Sequence, residues 1–195
     1  MFVKDSDFVG IINVDTSNIE MSNILYQYID SIEKEILVKY ALGTRLYNEF
    51  ISGLSEPVIE QKWLDLRDGK TYDITLENGA YATVEYKGIA EILKYFVYYY
   101  FAKENYQSFN NTSFNQQISE NSETLNPVFR FSDIFNKGVE RLGFIINDGN
   151  TLSENKLSAI IDNTLFNFIS HSNSEEIIYN DWIFREIEKI NGIGI

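Results

Sequence analysis

Tyr95-Phe96-Val97-Tyr98-Tyr99-Tyr100-Phe101-Ala102, closed off by Lys94 and Lys103, is the stretch on which the fold turns. Wound as a helix it has no polar face, and a helix that is apolar all round holds in water only when other elements surround it. A membrane span would need roughly 20 such residues, about two and a half times what lies between the two lysines. The pattern predicts a central helix from Ile89 to about Tyr106, wrapped by amphipathic neighbours.

Those neighbours are legible on both sides. From Met21 to Leu42 the apolar residues Leu25, Ile29, Ile32, Ile36 and Tyr40 recur every three or four positions, with Asp30 before Lys34 and Glu35 before Lys39 on the other face. Gly43 ends that helix, and Thr44 is expected to cap a second one through Leu46, Tyr47 and Phe50 to Gly53. Ser55-Glu56-Pro57 reads as a cap with proline in the first turn of a third helix through Ile59, Trp63 and Leu66 to Gly69. The period then switches to two. Lys70 to Leu76 alternates, Glu77-Asn78-Gly79 turns, and Ala80 to Tyr86 alternates again, which predicts a β-hairpin with Tyr72, Ile74 and Leu76 on one face. A lone hairpin is marginal in water, so that face must lie on helices or on a partner.

Downstream, Asn110 to Asn126 is a polar run rich in Asn, Gln and Ser. Ser132 is expected to cap a helix burying Phe135, Val139, Leu142, Ile145 and Ile146, and Ser153 another burying Leu157, Ile160, Ile161, Leu165 and Phe168. The end of the sequence carries Ile177, Ile178, Trp182, Ile183 and Phe184 and finishes Asn191-Gly192-Ile193-Gly194-Ile195, apolar surface that should dock on something. The expected fold is mainly α: a helical bundle with an inserted β-hairpin and an extended C-terminal arm. It forms a single domain over 1–195, with the hairpin at about 70–86, a polar loop at about 107–127 and the arm at about 175–195.

Composition removes much of enzymology. There is no Cys and a single His, so disulfides, thiolate metal sites and imidazole clusters are excluded. Sixteen Lys and Arg against 29 Asp and Glu leave a net charge of −13, which disfavours binding nucleic acid through phosphates. At 44% hydrophobic and 15% aromatic the chain is too apolar for disorder. The acidic N-terminal residues Asp5 and Asp7, with Asn13 interrupting the apolar Phe8–Val14, do not make a secretion signal, and synthesis in the cytoplasm is expected. No glycine-rich phosphate loop, HExxH or GxSxG occurs. His171 sits in a polar run and is expected to be a solvated residue after a helix. Asp65-Leu66-Arg67-Asp68-Gly69 and Asn147-Asp148-Gly149-Asn150 lack the acid spacing of a calcium loop and read as turns. Glu33 with Glu35, and Glu175 with Glu176, read as solvated acidic faces. No catalytic, cofactor-binding or metal-ligating residues are assigned, and the chain is not expected to be an enzyme.

Leu42-Gly43-Thr44-Arg45-Leu46-Tyr47-Asn48-Glu49-Phe50, then Lys62 to Tyr72, then Tyr86-Lys87-Gly88-Ile89 running into Leu93-Lys94-Tyr95-Phe96, follow one another in an order that resembles head-tail connector (adaptor) proteins of tailed bacteriophages, of the kind found in phages of Bacteroides-type bacteria. The resemblance spans roughly Ile24 to Pro127. It implies a virion structural protein at the neck. Such a subunit assembles with itself into a ring, usually dodecameric, below the portal protein, extends the DNA channel and offers a platform to a further tail or neck ring protein. It implies no catalytic residues, no cofactor, no membrane and no sequence-specific nucleic-acid binding, although DNA would pass through the ring. An acidic ring suits a conduit that must not grip its polymer. The candidate partner-interface residues are Tyr72, Ile74, Leu76 and Tyr81 of the hairpin and Trp182, Phe184, Ile193 and Ile195 of the arm. Two other classes compete with the connector: a soluble helical interaction or chaperone-like module, and a small hydrolase working with carboxylates.

Overall fold

The computed structural model describes residues 1–14, 19–75, 79, 81–109, 127–143, 164–175 and 177–190. Its elements are α1 (Ile19–Ile36), continued by a π-helical turn (Leu37–Ala41), α2 (Thr44–Leu54), α3 (Gln61–Asp68), β1 (Lys70–Thr75), β2 (Tyr81–Tyr86), α4 (Ile89–Phe109), α5 (Pro127–Leu142) and α6 (Leu165–Glu175). It is a mainly helical bundle with one two-stranded antiparallel hairpin. The C-terminal arm has no regular structure between 177 and 190.

α4 is the central helix that its sequence demands. From Ile89 to Ala102 no residue is exposed, because α1, α3 and α5 all pack against it. Phe101 meets Tyr28 of α1 edge-on at 5.7 Å, and Phe96 meets Phe135 of α5 at 5.3 Å and 88°. Gly138 on α5 makes that second contact possible, since a Cβ there would sit 3.0 Å from the Phe96 ring. The one basic residue inside the stretch, Lys94, is neutralised by Glu91 at 2.6 Å.

The hairpin pairs Lys70 with Tyr86, Tyr72 with Val84 and Ile74 with Ala82. Tyr72, Ile74, Val84 and Tyr86 form its buried face. Tyr86 stacks on Phe168 of α6 at 4.4 Å and 11°, and its hydroxyl donates to the Leu66 carbonyl at 3.1 Å. At the base the two strands cross on glycines. A Cβ on Gly69 would lie 2.2 Å from the Tyr86 carbonyl oxygen, and one on Gly88 2.5 Å from that of Arg67, and both residues have positive φ.

Several local expectations are corrected. Thr44 is the first residue of α2 rather than its cap; the N-cap is Gly43, at φ +80° and ψ 162°. The third helix starts at Gln61, so Ser55-Glu56-Pro57 lies in the connection and Ile59 is not helical. The chain needs that loop to turn back and lay Trp63 on Phe50 of α2, with ring centroids 5.8 Å apart. Ser132 is a buried residue inside α5, which begins at Pro127, a proline in the first turn whose missing N–H costs nothing there. The expected single helix from Ser153 through Phe168 is corrected, since α6 starts at Leu165 with the Thr164 hydroxyl accepting from Asn167 N at 3.1 Å just before it; Ile145, Ile146, Leu157, Ile160 and Ile161 lie outside the described residues. Glu33 is not on a solvated face but 4% exposed, while Glu35 is on the surface and pairs with Lys39 at 2.7 Å. His171 lies within α6, not after it, and stacks on Tyr72 at 4.7 Å and 21°.

Candidate partner-binding surfaces

The arm is positioned by the way α1 ends. A helix leaves its last carbonyls without intrahelical partners, and here the π-helical turn and Gly43 end it abruptly. The arm supplies the missing donors. Arg185 N donates to the Tyr40 carbonyl at 2.8 Å, the Trp182 indole Nε1 to that of Ala41 at 2.8 Å, and Ile183 N to that of Leu42 at 3.1 Å. Gly43 lets the arm this close, because a Cβ would meet the Ile183 Cβ at 3.0 Å. Upstream, the Tyr179 hydroxyl donates to the Lys62 carbonyl at 2.8 Å and its ring lies 6.1 Å from Trp63; burial pushes its phenol well above the usual range. Downstream, Asn136 of α5 exchanges two hydrogen bonds with the backbone of Ile190, at 2.8 and 2.9 Å, and Lys189 pairs with Glu140 at 2.6 Å. Trp182 and Phe184 both pack on Phe166, at 5.3 and 4.9 Å.

The arm candidates Trp182 and Phe184 are thus half-buried against their own chain, and Ile193 and Ile195 lie outside the described residues. Of the hairpin candidates, Tyr72 and Ile74 are buried and Leu76 lies outside the described residues. Tyr81 stands apart from them at 79% exposed, next to the hairpin tip. The sequence expectation brought the hairpin and the arm together as one interface class; in the structure α6 joins them, with Phe168 touching Tyr72 and Tyr86 and with Phe166 touching the arm. Tyr72 carries an oddity. Its hydroxyl is buried with no hydrogen-bond partner among the described residues, and burial pushes its pKa up to about 12.

A second grip holds the N-terminal segment. Val3, Phe8, Ile12 and Val14 are buried, and Phe2 stacks on Phe50 at 5.3 Å and 4°. The Glu33 carboxylate accepts from Phe2 N at 2.9 and 3.0 Å and from Val3 N at 2.6 Å. Burial raises the Glu33 pKa above the usual glutamate value, against the opposing pull of those two amides and of the terminal ammonium.

Sequence reasoning overlooked a cleft of about 670 Å³ between the C-terminal half of α2 and the connection into α3. Glu49, Glu56 and Glu60 stand around it, with Gly53, Val58 and Trp63 as its apolar part. The Ser55-Glu56-Pro57 turn was the available signal, but it says nothing about what the turn faces.

Nothing else among the described residues gathers chemistry. Among the described residues no group of three or more His, Asp or Glu is placed to hold a metal. Asp65 pairs with Lys70 at 2.9 Å and Asp68 with Arg67 at 2.6 Å, so the first candidate cation turn is committed to salt bridges; the second, 147–150, lies outside the described residues. No helix among the described residues is long and apolar enough to cross a membrane.

Residues 38–133 match the model of DUF6712, a family of unknown function. The matched stretch, just under half of the chain, runs from the π-helical turn through the hairpin and α4 into the start of α5. The three motif stretches Leu42–Phe50, Lys62–Tyr72 and Tyr86–Phe96 all lie inside it. No curated protein and no solved structure matches the chain.

Proposed function

We propose that this chain is a non-catalytic virion structural subunit of the head-tail connector kind. It forms a ring with copies of itself below a portal protein, lines a DNA channel and offers a platform to a further neck or tail ring.

The observation that carries this reading is that the motif stretches behind the resemblance are neighbours in one packed body. Gly43 turns α1 into α2, Trp63 of α3 lies on Phe50 of α2, and Gly69 and Gly88 cross at the hairpin base before the chain enters α4. The residues that define the likeness are those that fix the geometry of α1 to α4, as expected of a shared scaffold rather than a chance run of similar letters. Two further features support it. Apolar side chains at several separate places stay exposed, among them Val58 at 84%, Tyr81 at 79%, Ile19 at 79% and Ile177 at 67%, which suits a subunit with several neighbours. The charge of −13 suits a wall that lets DNA pass.

The test is to mix the purified chain with assemblies of a portal protein encoded in the same genome and image the product by cryo-electron microscopy. A ring of density below the portal is expected. Bare portals at saturating concentrations of the chain would contradict the reading.

A further inference from the structure

We propose that the cleft between α2 and α3 binds a protein segment in which a lysine or arginine is flanked by apolar residues. The walls of the cleft ask for three different things at once. Its carboxylates want a cation. Around it Glu49 and Asp181 share Arg45, at 3.5 and 3.1 Å, and Glu60 pairs with Lys62 at 3.0 Å, whereas Glu56 forms no ion pair among the described residues. Four acids therefore face two bases. Its apolar part wants an apolar cover, since Val58 is 84% exposed beside Trp63 and Gly53. Its floor offers a hydrogen-bond donor. Trp63 is only 4% exposed, and its Nε1 lies over Gly53, where a Cβ would be 2.1 Å away, without an acceptor among the described residues.

A basic peptide answers all three: its cation meets Glu56, its flanking side chains cover Val58, and a backbone carbonyl accepts from Trp63. Nucleic acid brings phosphates to carboxylates, which is repulsive. A metal ion has no apolar surface to offer, and no metal-holding cluster occurs among the described residues. A second copy of this chain is the competing occupant, and the measurement without peptide separates it from a peptide. The inference goes beyond the connector reading and does not depend on it: in a connector the segment would belong to a neighbouring ring protein, but the chemistry of the cleft is the same in any assembly.

The experiment uses the full chain, immobilised, against two pools of capped octapeptides with apolar flanks, one with a central Lys or Arg and one with a central Glu. Peptides retained from the basic pool are then titrated into the isotope-labelled protein and followed by NMR. Shifts are expected at the Trp63 indole N–H, Gly53 and Val58. Combining Glu56→Gln with Val58→Ser, at an unchanged unfolding midpoint, should weaken binding about tenfold. The charge-matched Glu85→Gln, on the exposed side of the hairpin, should weaken it by less than about twofold. Retention of neither pool, retention without shifts in the cleft, or equal weakening by Glu85→Gln would overturn the proposal. Concentration-dependent shifts at the same residues without peptide would overturn it too, by assigning the cleft to a second copy. A bare portal in the ring experiment leaves this result untouched, and a negative result here leaves the ring reading untouched.

Discussion

Replacing Gly43 by alanine should unlatch the C-terminal arm, and two separable costs set the size of the effect. The first is backbone strain: φ +80° with ψ 162° lies in a region that residues with a Cβ avoid, a penalty of about 1–3 kcal/mol. The second is steric, because the new Cβ would face the Ile183 Cβ at 3.0 Å and Ile183 N at 3.6 Å. If the arm moves to relieve that contact, the bonds from Ile183 N to Leu42, from Trp182 Nε1 to Ala41 and from Arg185 N to Tyr40 are lost. Each contributes about 0.5–1.5 kcal/mol. Gly43→Ala should therefore cost about 2.5–7.5 kcal/mol in urea unfolding, with amide exchange at Ile183 and Arg185 rising together. Ile183→Gly removes the opposing Cβ. In that background Gly43→Ala should cost only the backbone share, about 1–3 kcal/mol, so the cycle isolates the steric term. A Gly43→Ala protein within about 0.5 kcal/mol of the parent, with both amides still protected, would refute the idea that this glycine exists to admit the arm.

Three further outcomes follow from the core. Gly53→Ala puts a Cβ 2.1 Å from the Trp63 Nε1, with the indole held by Phe50 and Tyr179; overpacking there should cost about 1–3 kcal/mol and shift the tryptophan emission, and an unchanged midpoint would contradict the packing described. Tyr72→Phe removes a buried hydroxyl that has no partner among the described residues, so thermal unfolding should show no loss, or a gain of up to about 1 kcal/mol. Because burial raises the Tyr72 phenol from 10.0 to about 12, its contribution is fully present below pH 10 and lost as the pH climbs toward 12; the Phe variant should resist that alkaline loss, and identical alkaline profiles would argue against the burial. Glu33 is likewise raised, so its protonated form favours the fold: its contribution is fully present below 4.5 and lost as pH rises through its folded pKa. The stability of the parent relative to Glu33→Gln should then rise as pH falls from neutrality toward 4.5, measured in urea at low protein concentration, and a falling difference would reverse the assigned direction.

Periodicity was a good guide wherever packing is what selects the residue. The Tyr95–Phe101 run had to be surrounded, and it is; the alternation from Lys70 to Tyr86 had to place Tyr72 and Ile74 on one buried face, and it does. Local polar rules failed where tertiary contacts overrode them. Thr44 and Ser132 are good caps by chemistry, but Gly43 must be the N-cap so that the arm can approach, and Pro127 starts α5 one and a half turns before Ser132. Glu33 lies on the buried side of α1 with Ile29 and Ile36, and no spacing rule announces that it meets backbone amides some 30 residues earlier in the chain. His171 looked solvated in a run of Ser and Asn because its partner, Tyr72, lies on the hairpin. The cleft was hidden for the same reason: its walls are set by the angle at which the 55–60 connection turns, which depends on where Trp63 comes to rest.

The most direct measurement of the proposed connector role is a cryo-electron microscopy map of the neck of any tailed particles produced from the genome that encodes this chain, with the particle proteins identified by mass spectrometry. A ring immediately below the portal, each subunit fitted by α1 to α4 with the hairpin in place, is the predicted result. A neck accounted for entirely by other proteins, in particles from which this chain is absent, would contradict the connector reading outright.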